Sequence, residues 1–189
     1  LAELTPYLTQ YAMGDFSHRL PIPEEEDDFT ELIVSINLMI EDFQEMLNDL
    51  VETENKLRRQ KDMLNGIANT SPALIYVYDL ETQSNVYANP GIETLLGYSP
   101  QEIQEMGAKL FPTIIHPDDL MQVYAFQRRV ALANDDEVLE IKYRMQHTDG
   151  SWHTFHSIER PFLRQPNGTV KQKVGIALDI TSEINMSAA

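Results

Sequence analysis

An α+β fold is predicted for this chain of 189 residues, with a long helical segment ahead of a five-stranded antiparallel sheet that carries short helices on one face. Three observations predict it. Apolar residues recur at alternating spacings of three and four from Phe29 to Ile67; the period changes from helical to alternating after Pro72; and two hairpin dipeptides, Asp149-Gly150 and Asn167-Gly168, divide the last third into strands.

The helical part begins with Leu1, Leu4, Leu8 and Tyr11, an apolar stripe that Gly14 and Asp15 close. Pro6 implies a start near that residue or a kink there. Residues 15–27 carry Pro21, Pro23 and the acidic run Glu24 to Asp28, and read as an extended connector whose Phe16, Leu20 and Ile22 dock on helices. The heptad follows. Its inward sites are Phe29, Leu32, Ile36, Met39, Phe43, Met46, Leu50, Thr53, Leu57, Gln60, Leu64 and Ile67, ten of the twelve apolar. So narrow a seam cannot be buried by one helix, and a parallel homodimer with a left-handed supercoil of about 58 Å is expected. Pairing weakens beyond Leu50, where Thr53 and Gln60 point inward. In a parallel dimer, Asp49 would meet Glu54 and Lys56 would meet Lys61. Intrahelical Glu52–Lys56 and Glu54–Arg58 pairs support the helix itself.

Composition narrows the function. The net charge of -16, from 30 acidic and 14 basic residues, argues against nucleic-acid binding. The absence of cysteine excludes disulfides, thiolate metal sites and cysteine-adduct photochemistry from this sequence, and fits a reducing cytoplasm. No apolar run approaches the roughly 20 residues of a membrane helix. A start at Leu1 reads as a piece excised from a longer chain, such as the cytosolic part of an inner-membrane receptor.

Pro72 ends the long helix. Strands are expected at 74–78 and 85–88, short helices at 92–96 and 100–106, a longer helix from His116-Pro117-Asp118-Asp119 to Ala133, and strands at 138–147, 152–163 and 170–180. The acidic pair is placed in the first turn of the long helix, where the helix dipole favours it. Between sheet and helices an internal pocket is expected, lined by Tyr76, Tyr78, Ile115, Val123, Phe126, Ile141, Tyr143 and Ile176. A filled core without ligand is an equal expectation. Asp179 and Thr181 stand where the last strand passes into an exiting helix, and are chosen for signal coupling or as a strand-end cap.

Catalysis is not expected. His116 with Asp118 and Asp119 reads as capping, and His153 and His156 lie on opposite sides of a strand. No phosphate loop, nucleophile elbow or metalloprotease helix is present. No metal and no cofactor are predicted, and any flavin would be held noncovalently.

Two resemblances follow. Gly14-Asp15, the connector with Leu20 and Ile22, Asp27-Asp28-Phe29-Thr30-Glu31-Leu32, and a heptad with Asn37 and Met39 resemble a HAMP domain, with Asp28 and Thr30 where that family carries Glu and Gly. Asn89-Pro90, Gly97-Tyr98-Ser99-Pro100-Gln101-Glu102, His116-Pro117-Asp118-Asp119, Asp149-Gly150-Ser151-Trp152 and Asp179-Ile180-Thr181 resemble a PAS domain across residues 72–182. Heme-binding relatives carry a histidine on the long helix, where Leu120 to Ala133 has none. Together these imply a HAMP-like domain at 1–48, a coiled-coil signalling helix at 49–70, a PAS domain at 71–182 and an exit linker at 183–189. They further imply the relay part of a bacterial sensor histidine kinase with its catalytic domains downstream. The alternative is a ligand-free dimerisation scaffold of a diguanylate cyclase, phosphatase or chemoreceptor.

Overall fold

The computed structural model describes residues 5–23 and 28–187. The chain divides into two compact units, residues 1–63 and 64–189. Leu1, Leu4 and the acidic residues from Glu24 to Asp27 lie outside the described residues.

In the first unit, α1 (Thr5–Ala12) places Pro6 in its opening turn, where a missing N–H costs nothing. Gly14 ends it at φ 85°, a backbone conformation that glycine adopts freely. The connector then lies along α2 (Asp28–Thr70). Phe16 stacks on Tyr11 at 5.8 Å and meets Phe43 edge-on at 4.9 Å. The Asn37 amide brackets the backbone of Leu20, accepting its N–H at 2.8 Å and donating to its carbonyl at 2.9 Å. Leu20, Ile33 and Ile40 are buried. Ile22, held between Pro21 and Pro23, does not dock as expected and is 58% exposed.

α2 therefore carries two stripes. Ile33, Asn37, Ile40 and Gln44, at spacings of four, three and four, belong to the face that receives the connector. Most of the heptad stripe lies apart from it, Phe43 with its edge contact to Phe16 excepted: Leu32, Met39, Met46, Leu50, Leu57 and Leu64 are each between 54% and 66% exposed. Phe29, Phe43 and Ile67 are exposed as well, and Ile36 is half-buried.

The second unit holds β1 (Leu74–Asp79), β2 (Ser84–Ala88), α3 (Gly91–Leu96), α4 (Pro100–Glu105), α5 (Leu110–Ile114), α6 (Leu120–Leu132), β3 (Leu139–Gln146), β4 (Trp152–Arg164), β5 (Val170–Asp179) and α7 (Thr181–Ser187). The five strands form one antiparallel sheet in the order β2-β1-β5-β4-β3. One face packs on the helices: Leu139, Ile141, Tyr143 and Met145 of β3 and Val123, Phe126 and Val130 of α6 belong to a single apolar core.

Local chemistry sets the helix ends. Ser99 and Glu102 form a reciprocal capping box on α4, with Pro100 in its first turn. Gly97 closes α3 at φ 80°, and a β-carbon there would lie 2.0 Å from Thr148 Oγ1. One element is added and one expectation is corrected. The stretch 107–114 forms a 3-10 turn and α5, a helix of five residues that is too short to show a period. Residues Pro117–Asp119 form a separate 3-10 turn, and Asp119 does not cap α6. Its carboxylate instead takes the Arg144 backbone N–H at 2.9 Å and two guanidinium donors at 2.9 and 2.8 Å. A planar fork and a carboxylate make a stronger pair than a helix end offers.

Candidate functional site

The inner face of the sheet is polar at its centre. Tyr76 on β1, Gly175 on β5 and Glu159 on β4 lie in one cross-strand row. Because Gly175 has no side chain, Tyr76 leans across it; a β-carbon there would sit 2.5 Å from the tyrosine Cζ. The Tyr76 hydroxyl thereby donates to one oxygen of Glu159 and accepts from Ser157 Oγ at 2.6 Å. Lys173 donates to the other oxygen of Glu159, and both side chains of this pair are almost fully buried. The ammonium lies 5.3 Å from the ring centre of Tyr78, 5.8 Å from Tyr76 and 5.9 Å from Phe126, within cation–π range.

Burial disfavours each charge here that lacks compensation. It raises the Tyr76 and Tyr143 hydroxyls well above the usual tyrosine range, and the negative charge of Glu159 adds to the shift. Burial also lowers the Lys173 ammonium, against the opposing pull of Glu159. Beside the cluster is a chamber of about 20 Å³, enough for one water. Tyr76, Val123, Phe126, Ile141 and Tyr143 line it, as five of the eight expected pocket residues.

The other three are placed differently. Tyr78 is buried and walls a separate outer groove of about 420 Å³, where it stacks on Phe111 at 4.7 Å. Ile115 is buried and bridges Met145 in the core. Ile176 contradicts the expectation: it lies on the opposite face of the sheet, 45% exposed. From residue 173 onward the buried positions of β5 are Lys173, Gly175 and Ala177, while Val174, Ile176 and Leu178 lie on the other side. Glu159, Ser157 and Lys173 were missed because inward residues were sought among apolar ones. Counting back from the Asn167-Gly168 turn fails as well, since register shifts between Pro161 and Arg164 break the parity. Gln127, also missed, lines both chamber and groove, and its Oε1 is a buried acceptor with no partner among the described residues.

Two hydrogen-bonded joints hold the helices that enter and leave this unit. Asn89, fully buried, donates from Nδ2 to the Ala68 carbonyl of α2 at 2.7 Å and to Ala73 at 3.1 Å, and accepts the Ile75 N–H at 2.9 Å. It thus satisfies a helix-end carbonyl and aligns β1 with a single amide. At the exit, Asp179 Oδ1 accepts the Thr181 N–H at 2.9 Å and its hydroxyl at 2.5 Å, and Thr181 Oγ1 accepts the Thr154 N–H at 2.9 Å. Partial burial pushes the Asp179 carboxyl up, but its bonds from Thr181 and His153 prevail and hold it below the usual carboxylate range. Leu74, the first residue of β1, pairs with Ala177 near the end of β5, so both joints lie at one end of the sheet.

The remaining histidines serve locally. His116 Nδ1 accepts the Asp118 N–H at 3.2 Å, and His156 lies 2.9 Å from Glu140. Among the described residues, no group of three or more His, Asp or Glu could hold a metal, and no helix is long and apolar enough to cross a membrane.

A family model described as PAS fold matches residues 85–177, from β2 to β5. The second unit has the PAS fold. Solved structures agree with this fold. The N-terminal domain of a diguanylate cyclase with PAS/PAC sensor from Marinobacter aquaeolei is 25% identical, with a TM-score of 0.50 over 59% of this chain and 98% of that one. The PAS domain of an HTR-like protein from Haloarcula marismortui is 19% identical, with a TM-score of 0.55 over 68% and 98%. A domain of a putative light and redox sensing histidine kinase from the same organism is 18% identical, with a TM-score of 0.50 over 66% and 99%. No curated protein matches the chain. The PAS-fold unit thus contributes an enclosed polar cluster and two helix joints.

Proposed function

We propose that the chain is a sensory and relay module of a bacterial signal-transduction protein, a sensor histidine kinase whose catalytic domains follow it. In this reading a HAMP-like domain occupies residues 1–48, a signalling helix 49–70, the PAS domain 71–182 and an exit linker 183–189. Two chains pair in parallel through the exposed heptad stripe of α2. The observation that carries the proposal is the placing of the two joints. Asn89 fastens the end of α2 and Asp179 with Thr181 fastens the start of α7 on neighbouring central strands, so a shift of one helix strains the other across a single strand pairing. Similarity to domains of a diguanylate cyclase and a putative histidine kinase supports a signalling role.

A second reading, relay without a ligand, is favoured by the chamber of about 20 Å³, which holds no more than a water. Native mass and an absorbance spectrum of the purified chain separate the two. Stoichiometric extra mass or a chromophore supports sensing, whereas bare dimeric protein supports relay alone. The joints are tested in the intact protein: Asp179→Ala is expected to uncouple stimulus from output, and an unchanged response removes the coupling role.

A further inference from the structure

The outer groove beside Tyr78 uses a side of α6 that the core leaves free. Val123, Phe126 and Val130 of that helix belong to the core, whereas Tyr124, Gln127, Arg128 and Ala131 line the groove. Tyr78 of β1 and Phe111 of α5 add to the wall, their rings stacked at 4.7 Å and 6° from parallel. Phe111 also lies 6.1 Å from Tyr124, tilted by 58°, so three aromatic rings form one contiguous set. The volume of about 420 Å³ falls within the roughly 300–1,000 Å³ of small-molecule sites, while the interior chamber admits only a water.

Two polar groups stand in this aromatic wall. Gln127 Oε1 is a buried acceptor with no partner among the described residues, and such an oxygen calls for an N–H or O–H. The next residue, Arg128, is exposed and makes no ion pair among the described residues. No acidic residue lines the groove, so the guanidinium gives it a positive sign in a chain whose net charge is -16. A planar guanidinium fork matches a carboxylate.

We propose that this groove binds a small aryl carboxylate that carries an O–H or N–H on its ring. The ring lies against Phe111 and Tyr124, the ring donor reaches Gln127 Oε1, and the carboxylate pairs with Arg128. Burial of the ring supplies most of the affinity, and the two polar ends select the molecule. An acid without the donor leaves the amide oxygen unpaired, and a phenol without the acid leaves the guanidinium to water. Tyr78 stands on β1, the strand that the Asn89 joint aligns and that pairs with β5, so a ligand in the groove touches the strand between the two helix joints.

This inference rests on the sensory reading and moves the ligand from the chamber to the groove. Isothermal titration of the whole chain compares three probes: para-hydroxyphenylacetate, which has both ring donor and carboxylate; phenylacetate, which lacks the donor; and para-hydroxyphenethyl alcohol, which lacks the charge. The first is expected to bind roughly tenfold tighter than the second, the ratio for one buried hydrogen bond. It is expected to bind up to about fivefold tighter than the third, the ratio for an exposed ion pair. Gln127→Met, similar in size but without an acceptor, is expected to erase the first ratio and keep the second; Arg128→Gln is expected to do the reverse. The side-chain amide signal of Gln127 in the unaltered chain gives the same reading without a variant: it is expected to move with para-hydroxyphenylacetate far more than with phenylacetate. No saturable binding of para-hydroxyphenylacetate at millimolar concentration overturns the proposal. Equal affinity for the two acids overturns it as well, since solvent then already serves the amide oxygen. If binding follows the expected pattern while the probe leaves the intact protein's output unchanged, the site stands and the sensory reading falls; if nothing binds while Asp179→Ala still uncouples output, the relay reading stands and the site falls.

Discussion

A single missing β-carbon organises the centre of the PAS sheet. Gly175→Ala would drive Tyr76 off its row, with the new atom 2.5 Å from the ring, and is expected to cost about 2–3 kcal/mol through overpacking and loss of the Glu159 bond. Urea denaturation measures this, and Tyr76→Phe should relieve the hydrogen-bond part of it without restoring the packing. For the buried pair, Lys173→Met leaves the Glu159 carboxylate buried beside no cation, at a cost of about 3–5 kcal/mol. Glu159→Leu with Lys173→Met should recover most of that loss, since two well-packed apolar groups leave no charge to desolvate; a double mutant as unstable as the single one would refute the account. None of this was legible in the sequence. A lysine in a strand reads as solvent-facing and an isoleucine as inward, whereas Lys173, Gly175 and Ala177 are buried here and Ile176 is exposed. What could be read were the tyrosines: Tyr76 and Tyr143 were placed in the core on one face of their strands, and they are there.

At the scale of elements, α2 is the most informative. Its heptad was legible because ten of twelve inward sites are apolar over almost forty residues. Its second stripe, Ile33 and Ile40 with Asn37 and Gln44, was not, because two of those four residues act through amides that carry no hydrophobic signal. The weak stretch of the proposed seam invites a direct measurement. Thr53→Val with Gln60→Leu should tighten self-association, seen by sedimentation equilibrium as a lower dissociation constant, and should damp any repacking that signalling requires. At the lower end of the same helix, Asn89→Ala strips the Ala68 carbonyl and the Ile75 N–H of their shared partner. It is expected to cost about 1–3 kcal/mol. Hydrogen exchange should show the loss first at the last turn of α2 and the start of β1. The short helices divide along the same line: α4 announced itself through Ser99, Pro100 and Glu102, and α5 through nothing.

For the whole molecule, charge and titration give the broadest expectations. Burial pushes the hydroxyls of Tyr76, Tyr78 and Tyr143 above their ordinary values. A group whose folded pKa is raised gives stability that is complete below the unfolded value and fades as pH climbs past it. The melting temperature should therefore drop steeply above about pH 10, the ordinary tyrosine value. Tyr76→Phe should soften that drop in a thermal scan series. The α+β architecture itself was readable, from the change of period at Pro72 to the two glycine turns, because these signals repeat over many residues. The polar interior was not, because it depends on pairings between residues far apart in sequence. One further consequence follows from Leu74 lying opposite Ala177. The domain is a loop with its neck pinched shut: excise it, duplicate it or swap it for another of its kind, and the loose chain ends remain within a strand's width of each other, so such an exchange leaves the flanking chain uncut.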